Sequence, residues 1–148
     1  MRISPPALTV LCLCGILLHG WASPVLKFTF SGQIYFAIFL ISAGFFIGLT
    51  AIRRFYQVDT TVLPQEMDSS SAILTGGILK ITRNPMYLGM AVVIAGVGIG
   101  IGSWVALPIL GFFVFWITEY QIKPEERALF KIFGSGFEDY KSKVRRWI

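Results

Sequence analysis

The sequence predicts an all-α integral membrane protein: a bundle of about four transmembrane helices with a cytoplasmic amphipathic C-terminal segment. Three observations support this fold class. The chain of 148 residues is 55% hydrophobic and only 14% charged, with a mean hydropathy of +0.69, whereas about 25% of residues are charged in a typical soluble domain. Its apolar residues gather in four long runs, and its basic residues lie almost entirely outside those runs.

The four apolar runs predict four spans within a single domain, residues 1–148. A helix rises about 1.5 Å per residue and must cross roughly 30 Å of hydrocarbon, so a span needs about 20 apolar residues. The first run also resembles a cleavable signal peptide, because Arg2 precedes it and the small residues Gly20 and Ala22 end it. We favour a retained span, and either interpretation leaves the remaining topology unchanged. The predicted spans are residues 7–26, 34–52, 86–102 and 104–122.

The basic residues predict how the spans are oriented. Of thirteen lysines and arginines, only Lys27 lies in the connection after the first span, and the other twelve lie at the N-terminus, in residues 53–83 or beyond residue 122. The positive-inside rule therefore places both termini, the loop of residues 53–85 and the tail of residues 123–148 in the cytoplasm. The formal charge of +5 indicates topology and attraction to anionic lipids, and no motif predicts a nucleic-acid partner.

The cysteines and the single histidine do not predict a metal site. Cys12 and Cys14 lie inside the first apolar run, and His19 lies near its outer end. No further histidine or cysteine stands at metal-ligand spacing. We interpret the cysteines as apolar packing residues and His19 as an interfacial residue.

Two polar motifs predict a site on the cytoplasmic side. The segment Arg83-Asn84-Pro85-Met86-Tyr87 opens the third run, and the pair Glu125-Glu126 follows the fourth. A hairpin of two spans uses nearly all the residues between them, so both motifs emerge on the same face of the membrane. Glycines at GxxxG spacing favour close packing within that hairpin. They are Gly96, Gly98, Gly100 and Gly102.

Each motif has a structural explanation when it is taken alone. Asn84 suits the N-cap of the third span with Pro85 in its first turn, and carboxylates suit the positive end of a helix that begins at Pro124. Together the motifs suit a polar ligand. Glu125 and Glu126 can accept hydrogen bonds from ribose hydroxyls or an ammonium group, Arg83 can pair with a ligand carboxylate, and Tyr87 can stack on a ring.

Several motifs in fixed order resemble the isoprenylcysteine carboxyl methyltransferase and phospholipid methyltransferase group of membrane enzymes. The resemblance covers roughly residues 53–148 and implies methyl transfer from S-adenosylmethionine to a lipophilic or lipidated acceptor. The residues that carry it are Thr60-Thr61-Val62-Leu63-Pro64, Leu74-Thr75-Gly76-Gly77, Thr82-Arg83-Asn84-Pro85-Met86-Tyr87-Leu88-Gly89, Glu125-Glu126-Arg127-Ala128-Leu129, Phe133-Gly134, Phe137, Tyr140, Val144 and Arg146-Trp147-Ile148.

Taken with the ligand-pairing argument above, the resemblance implies a set of cofactor-binding residues. Asn84 stands where eukaryotic relatives have histidine, and an amide keeps the capacity to donate and accept hydrogen bonds. Leu79 stands where a tyrosine is common, which removes one possible contact. The expected set is Ser71, Ala72, Ile73, Leu74, Leu79, Arg83, Asn84, Pro85, Met86, Tyr87, Glu125 and Glu126.

Two further residues are candidates on the acceptor side. Gln121 occupies the position, four residues before Glu125, where isoprenylcysteine enzymes use an arginine for their substrate, and this change weakens the case for a carboxylate substrate. Glu119 lies within the fourth predicted span, where it would serve as a base for an amine acceptor. An equally good interpretation makes Glu119 a boundary residue that is hydrogen-bonded within the bundle.

The sequence therefore predicts a membrane methyltransferase whose partners are lipids and a lipophilic acceptor, with no metal and no nucleic acid. The leading prediction for its activity is isoprenylcysteine-like carboxyl O-methylation. The two alternatives are N-methylation of an amine lipid and a non-enzymatic membrane scaffold. The tail Lys131–Ile148 is predicted to lie amphipathically at the headgroups, with Arg145 and Arg146 directed to lipid or to an anionic group of the acceptor.

Overall fold

The computed structural model describes residues 3–23, 25–56 and 76–148. Within these residues the regular structure is helical apart from one isolated bridge between Lys27 and Ser103, which confirms the all-α prediction for them. A 3₁₀ turn, Gly77–Lys80, precedes the third helix, and a π-helical segment, Thr118–Ile122, joins the fourth to the fifth. The α-helices are α1 (Pro5–Ala22), α2 (Gln33–Tyr56), α3 (Pro85–Ile101), α4 (Ala106–Ile117), α5 (Lys123–Phe133) and α6 (Ser135–Lys143).

Helix α3 is the centre of the bundle, because α1, α2 and α4 all pack on it. One of its faces joins α1 and α4 in the main hydrophobic core, which begins near the N-terminus of α1 and extends to Ile122. A smaller core at the other end of the chain joins α5 and α6. The main core contains Leu8, Cys12, Ile16, Ala91, Ile94, Ala106, Phe113, Ile117 and Ile122.

The opposite face of α3 packs closely on α2 through glycines. A Cβ atom at Gly89 would lie 2.7 Å from the carbonyl oxygen of Gly44, and one at Gly100 would lie 3.2 Å from the Cβ of Ala37. Of the glycines expected to join the third span to the fourth, Gly98 does face α4, at Ala106, whereas Gly96 and Gly100 face α2. The predicted glycine contact between the third and fourth helices is therefore confirmed at Gly98 and wrong in its partner at Gly96 and Gly100. Residues 89, 96 and 100 share one helical face, and α2 lies against it.

This contact gives a stability prediction. We expect Gly89→Ala to lower the thermal unfolding temperature in detergent, because the new methyl group meets backbone atoms of α2 that have no rotamer to change. Forcing a methyl group into such a packed contact costs about 1–3 kcal/mol. The matched control is Gly111→Ala in α4, where an added Cβ meets no atom within 4 Å and where alanine favours the helix. Equal unfolding temperatures for both variants would contradict the packing.

Two helices are long and apolar enough to cross a membrane, namely Pro5–Ala22 and the Gln33–Arg53 part of α2. Only 22% and 17% of their apolar windows are buried, whereas the core helix of a soluble protein would be mostly buried. Large apolar side chains on α2 face outward, among them Phe39, Phe45 and Phe46, as lipid contact requires. Helix α3 has 17 residues and α4 has 12, so the count of four spans stays a prediction.

The expected span limits change at two turns. The first helix ends at Ala22, and Leu26 takes a positive φ of 59° in the turn that follows. The fourth begins at Ala106 because Gly102 closes α3 with a left-handed φ of 70° and Trp104 N–H donates to the Leu26 carbonyl. His19 lies at this end of the bundle, where its Nδ1 is 2.9 Å from Ser103 Oγ.

Candidate functional site

The segment before α3 is held by the C-terminal tail. Thr82 is fully buried, Arg83 N–H donates to the Arg145 carbonyl, and Pro85 is the first residue of α3 as predicted. Asn84 occupies the N-cap position but makes no side-chain cap hydrogen bond. Its amide instead donates to the Arg146 carbonyl at 3.0 Å. The capping role considered for this side chain was therefore wrong: its oxygen accepts no hydrogen bond from the helix, and the bond from Nδ2 to the tail holds the amide in another orientation.

The two predicted motifs meet through Tyr87 and Glu125. Tyr87, in the first turn of α3, donates from its hydroxyl to Glu125 Oε1 at 2.7 Å. Gln121 donates from Nε2 to the same oxygen, also at 2.7 Å. The structure thus brings together the opening of α3 and the start of α5, as the topology argument predicted. It also gives Gln121 a partner within the protein, so this residue holds Glu125 in place.

Burial raises the pKa of Glu125, and the repulsion of Glu126 adds to the effect, while hydrogen bonds from Tyr87 and Gln121 offset part of it. Both hydrogen bonds fall on Oε1. Among the described residues, Oε2 accepts none, so one carboxylate oxygen is left to meet a ligand. A half-buried carboxylate with one fixed and one available oxygen is suited to recognise hydroxyl groups.

Glu126 is the centre of an ion-pair network beside this site. Its two oxygens accept hydrogen bonds from Arg146 Nε and Nη2 at 3.0 and 2.7 Å, and Arg83 Nη1 lies 2.9 Å from Oε1. Burial opposes ionisation of Glu126, but the Arg146 hydrogen bonds and both guanidinium charges prevail and lower its pKa. Glu126 is thereby occupied in holding the tail, in contrast to the cofactor contact expected for it.

Arg83 is the most unusual cation of the site, because its side chain is only 9% exposed. The contact of Nη1 with Glu126 is an ion pair without the geometry of a directed hydrogen bond, and Nε has no hydrogen-bond partner among the described residues. A buried guanidinium nitrogen without an acceptor is costly. Among the described residues, Nε is therefore an unsatisfied buried donor.

The tail closes this side of the molecule in a way that sequence reasoning missed. The Arg146 carbonyl also accepts from Thr82 Oγ1 at 3.3 Å, and Trp147 Nε1 donates to Thr118 Oγ1 at 3.1 Å while its ring packs on the main core. Arg146 was expected to meet lipid or an acceptor. Arg146 is separated from Asn84 by 62 residues and from Thr82 by 64, and the only sequence signal was a tryptophan next to a basic pair.

The aromatic residues of the tail also differ from the expected lipid-facing segment. Phe137, Tyr140 and Val144 are buried together against Leu129 and Phe133, although Phe130 is 47% exposed. Burial raises the pKa of Tyr140 to about 12, so its hydroxyl stays protonated and donates to the Leu79 carbonyl at 2.6 Å. The amphipathic period of α5 and α6 serves a small core of their own.

Helices α4 and α5 form one continuous run through the π-helical segment Thr118–Ile122. Pro124 explains the segment, because it has no N–H to donate and its ring clashes with the carbonyl of residue 120 in a regular α-helix. Pro124, Glu125 and Glu126 lie in the first turn of α5, close to the start expected for this helix, but α5 continues from α4 and begins one residue earlier, at Lys123. Such π segments are frequent at functional sites, and this one contains Gln121, which reaches Glu125.

The remaining predicted site residues that the structure describes take no part in the contact between Tyr87 and Glu125. Glu119 pairs with Lys123 one turn later on a side of the run that is partly exposed, and no contact joins it to the Glu125 cluster in the described residues. Leu79 has a buried side chain, 5% exposed, and its carbonyl holds Tyr140. Met86 is half-buried within the first turn of α3. Ser71, Ala72, Ile73 and Leu74 lie outside the described residues.

Cysteine and metal chemistry have little basis in the described residues. Cys12 is buried in the main core and Cys14 is exposed, and both are free thiols. No group of three or more histidine, cysteine, aspartate and glutamate side chains within residues 3–23, 25–56 and 76–148 is placed to hold a metal ion. The site is therefore described by its tyrosine, carboxylates, amides and guanidinium groups.

Comparisons with known proteins identify the family of this chain. The family model for phospholipid methyltransferases matches residues 32–136. The protein-S-isoprenylcysteine O-methyltransferase of Schizosaccharomyces pombe is 22% identical over 120 residues, which are 81% of this chain and 51% of that protein. An uncharacterized protein of Haemophilus influenzae is 33% identical over 63 residues, 43% of this chain and its own full length.

This chain thus spans about half the length of the yeast enzyme. No solved structure matches it. The family model nevertheless covers well over half of the chain, including the α3 opening, the π-helical segment and both glutamates of the site. This chain belongs to the phospholipid methyltransferase family, in the group that includes the isoprenylcysteine carboxyl methyltransferases.

Proposed function

We propose that this protein is an S-adenosylmethionine-dependent methyltransferase that acts on a lipophilic acceptor embedded in the membrane. Family membership supports methyl transfer in general. The observation that carries the proposal is the contact of Tyr87 and Gln121 with one oxygen of Glu125. It joins the opening of α3 to the start of α5, which are the two segments that the family resemblance assigns to the cofactor.

The residues of the site fit S-adenosylmethionine. This cofactor presents ribose hydroxyls, an ammonium group and a carboxylate to a protein. Glu125 has an oxygen without a hydrogen bond in the described residues, which suits the hydroxyls, and Arg83 has a buried Nε without an acceptor, which suits the carboxylate. Asn84 and Tyr87 lie between Arg83 and Glu125 in the sequence. We propose that these four residues hold the cofactor.

Bound S-adenosylmethionine supplies a methyl group that is already activated, so the protein needs no nucleophile of its own. Its residues must chiefly orient the reactants, an effect that can contribute several kcal/mol. Tyr87 and Gln121 fix the Glu125 carboxylate, and the tail from Arg145 to Trp147 covers the α3 opening. A cover of this kind also excludes water, which favours the merging of an anionic acceptor with a cationic donor.

For the acceptor we propose a carboxylate of the isoprenylcysteine type, the substrate named for the related yeast enzyme. One acceptor carboxylate oxygen would form the new bond to the methyl carbon while the bond from that carbon to the sulfonium sulfur breaks, so the electron pair would pass to sulfur, S-adenosylhomocysteine would leave, and no proton would have to be removed. N-methylation of an amine lipid is the second candidate. It is favoured by the description of the family model and by Gln121, a neutral residue already bonded to Glu125, where isoprenylcysteine enzymes carry arginine.

Labelled methyl transfer tests this function. Membranes that contain the protein are incubated with methyl-labelled S-adenosylmethionine and an isoprenylated cysteine derivative, and the lipid product is then treated with mild base. A carboxyl ester releases volatile labelled methanol, whereas an N-methyl product keeps its label. We expect volatile label that depends on the protein. Stable label would favour the amine lipid, and the absence of transfer to either acceptor class would support a scaffold.

A further inference from the structure

A basic groove lies between α5, α6 and the tail, next to the candidate cofactor site. It has a volume of about 600 Å³. Five basic side chains and two carboxylates line it, an excess of three positive charges, together with two phenylalanines. The basic residues are Lys123, Arg127, Lys131, Lys141 and Arg146, and the others are Glu126, Glu138, Phe130 and Phe137.

Three of these cations have no carboxylate partner. Lys123 pairs with Glu119 and Arg146 with Glu126, but Arg127, Lys131 and Lys141 make no ion pair among the described residues. Like charges gathered in one concave surface repel each other and raise the local concentration of anions. Their placement on two different helices directs them toward a shared groove, and an anion inside it would relieve the repulsion.

The position of the groove along the chain indicates which kind of anion it binds. Lys123 is the first residue after the predicted fourth span, so the groove begins where the helical run would leave the hydrocarbon for the headgroups. Phe130 lines it and is 47% exposed, and the neighbouring Ile132 is 45% exposed. Exposed apolar side chains next to unpaired cations suit a molecule with an anionic head and an apolar body.

We propose that this groove binds the phosphodiester headgroup of an anionic membrane phospholipid. Arg127, Lys131 and Lys141 contact the phosphate, and Phe130 contacts the first part of the acyl chains. The ligand is distinct from the methyl acceptor and from the cofactor, because none of these three cations lies in the Tyr87–Glu125 site. The inference does not depend on methyl transfer, so a protein that transfers no methyl group could still pass its test.

The groove is also linked to the candidate cofactor site. Arg146 lies in its wall and is bonded to Glu126, while the Arg146 carbonyl accepts from the Asn84 amide. Lys141 is near enough to help lower the pKa of Glu126. A phosphate in the groove would therefore lie beside the ion pair that holds the tail over α3.

The test is a binding titration of the full chain in a non-ionic detergent. Phosphatidylglycerol and phosphatidylcholine are added in separate titrations, and bound lipid is counted by native mass spectrometry. The wild-type protein should bind phosphatidylglycerol and discriminate against the zwitterionic lipid. Lys131→Gln combined with Lys141→Gln should weaken phosphatidylglycerol binding roughly 10- to 30-fold, since each lysine near an anionic headgroup contributes about 1 kcal/mol.

The matched control removes two exposed lysines that do not line the groove, Lys80→Gln with Lys143→Gln. It should change the affinity less than twofold, and an unchanged unfolding temperature shows that each variant is folded. Equal loss in both pairs, or equal binding of the two lipids by the wild type, would overturn the groove as an anionic-lipid site. Displacement of phosphatidylglycerol by millimolar inorganic phosphate would replace the lipid with free phosphate as the ligand.

Discussion

Replacing Glu125 by glutamine is expected to weaken S-adenosylmethionine binding by roughly 10- to 100-fold, because a charged hydrogen bond to a ligand is worth about 1.5–3 kcal/mol. Glutamine keeps the size of the side chain and an oxygen for Tyr87 and Gln121, so the local fold should survive. The measurement is equilibrium binding of labelled cofactor to purified protein. Asp139→Asn is the control, because its carboxylate is exposed and paired only with Lys143.

The same variant should change the pH dependence of binding. Burial raises the pKa of Glu125 above its ordinary 4.5, so the carboxylate takes up its proton at a higher pH than an exposed one. Cofactor affinity should therefore fall as the pH decreases through this raised pKa, and Glu125→Gln should remove that step. For stability the sign is opposite: a raised carboxyl pKa favours folding at low pH, and that contribution is lost as the pH rises through the folded value.

Replacing Glu126 by glutamine should cause the largest loss of stability in the site. It leaves Arg83 and Arg146 facing each other without the carboxylate between them, and Arg83 is 9% exposed. Removing one partner of a buried ion pair costs about 3–5 kcal/mol, and we expect a value near the lower end because Arg146 is 31% exposed. The fall in unfolding temperature in detergent measures it.

The tail should also come loose in this variant. Trypsin should then cut after Arg145 and Arg146 faster than in the wild type, because Arg146 has lost its charge partner and one of its two side-chain acceptors. Glu119→Gln is the control for stability. Its ion pair with Lys123 is partly exposed, at 36% for the Glu119 side chain and 43% for that of Lys123, and exposed pairs contribute at most about 1 kcal/mol. Equal stability of the two variants would mean that the Glu126 network does not hold the tail.

The helices were predictable because local sequence determines them. The apolar runs gave α1 to α3 within a few residues, and Pro85 marked the start of α3. It was harder to predict which neighbouring helix packs against each helix face. Gly96 and Gly100 have the spacing of a packing face, but nothing in that spacing distinguishes α2 from α4. The close approach of α3 to Gly44 and Ala37 shows that α2 is the partner. A pairing between segments that are distant in the sequence leaves no local sequence pattern.

The site was predictable where a pair of helices returns two motifs to the same end of the bundle. The topology argument placed the segment of Tyr87 beside Glu125, and they touch. The topology argument could not assign different roles to the two glutamates. Glu125 and Glu126 are adjacent in the sequence, and they differ only in the direction in which each side chain leaves α5. One meets Tyr87 and the other meets Arg83 and Arg146. The attachment of the tail to residues 82–84 depends on backbone carbonyls, which every residue has.

The most direct test of the account measures S-adenosylmethionine binding to the wild type, Tyr87→Phe, Glu125→Gln and the double variant. Tyr87 and Glu125 act as one unit in this site, so their effects on affinity should not add. We predict that the wild type binds the cofactor, that each single variant binds more weakly, and that the double variant is little worse than Glu125→Gln alone. Absence of binding to the wild type, or fully additive losses, would contradict a shared cofactor site.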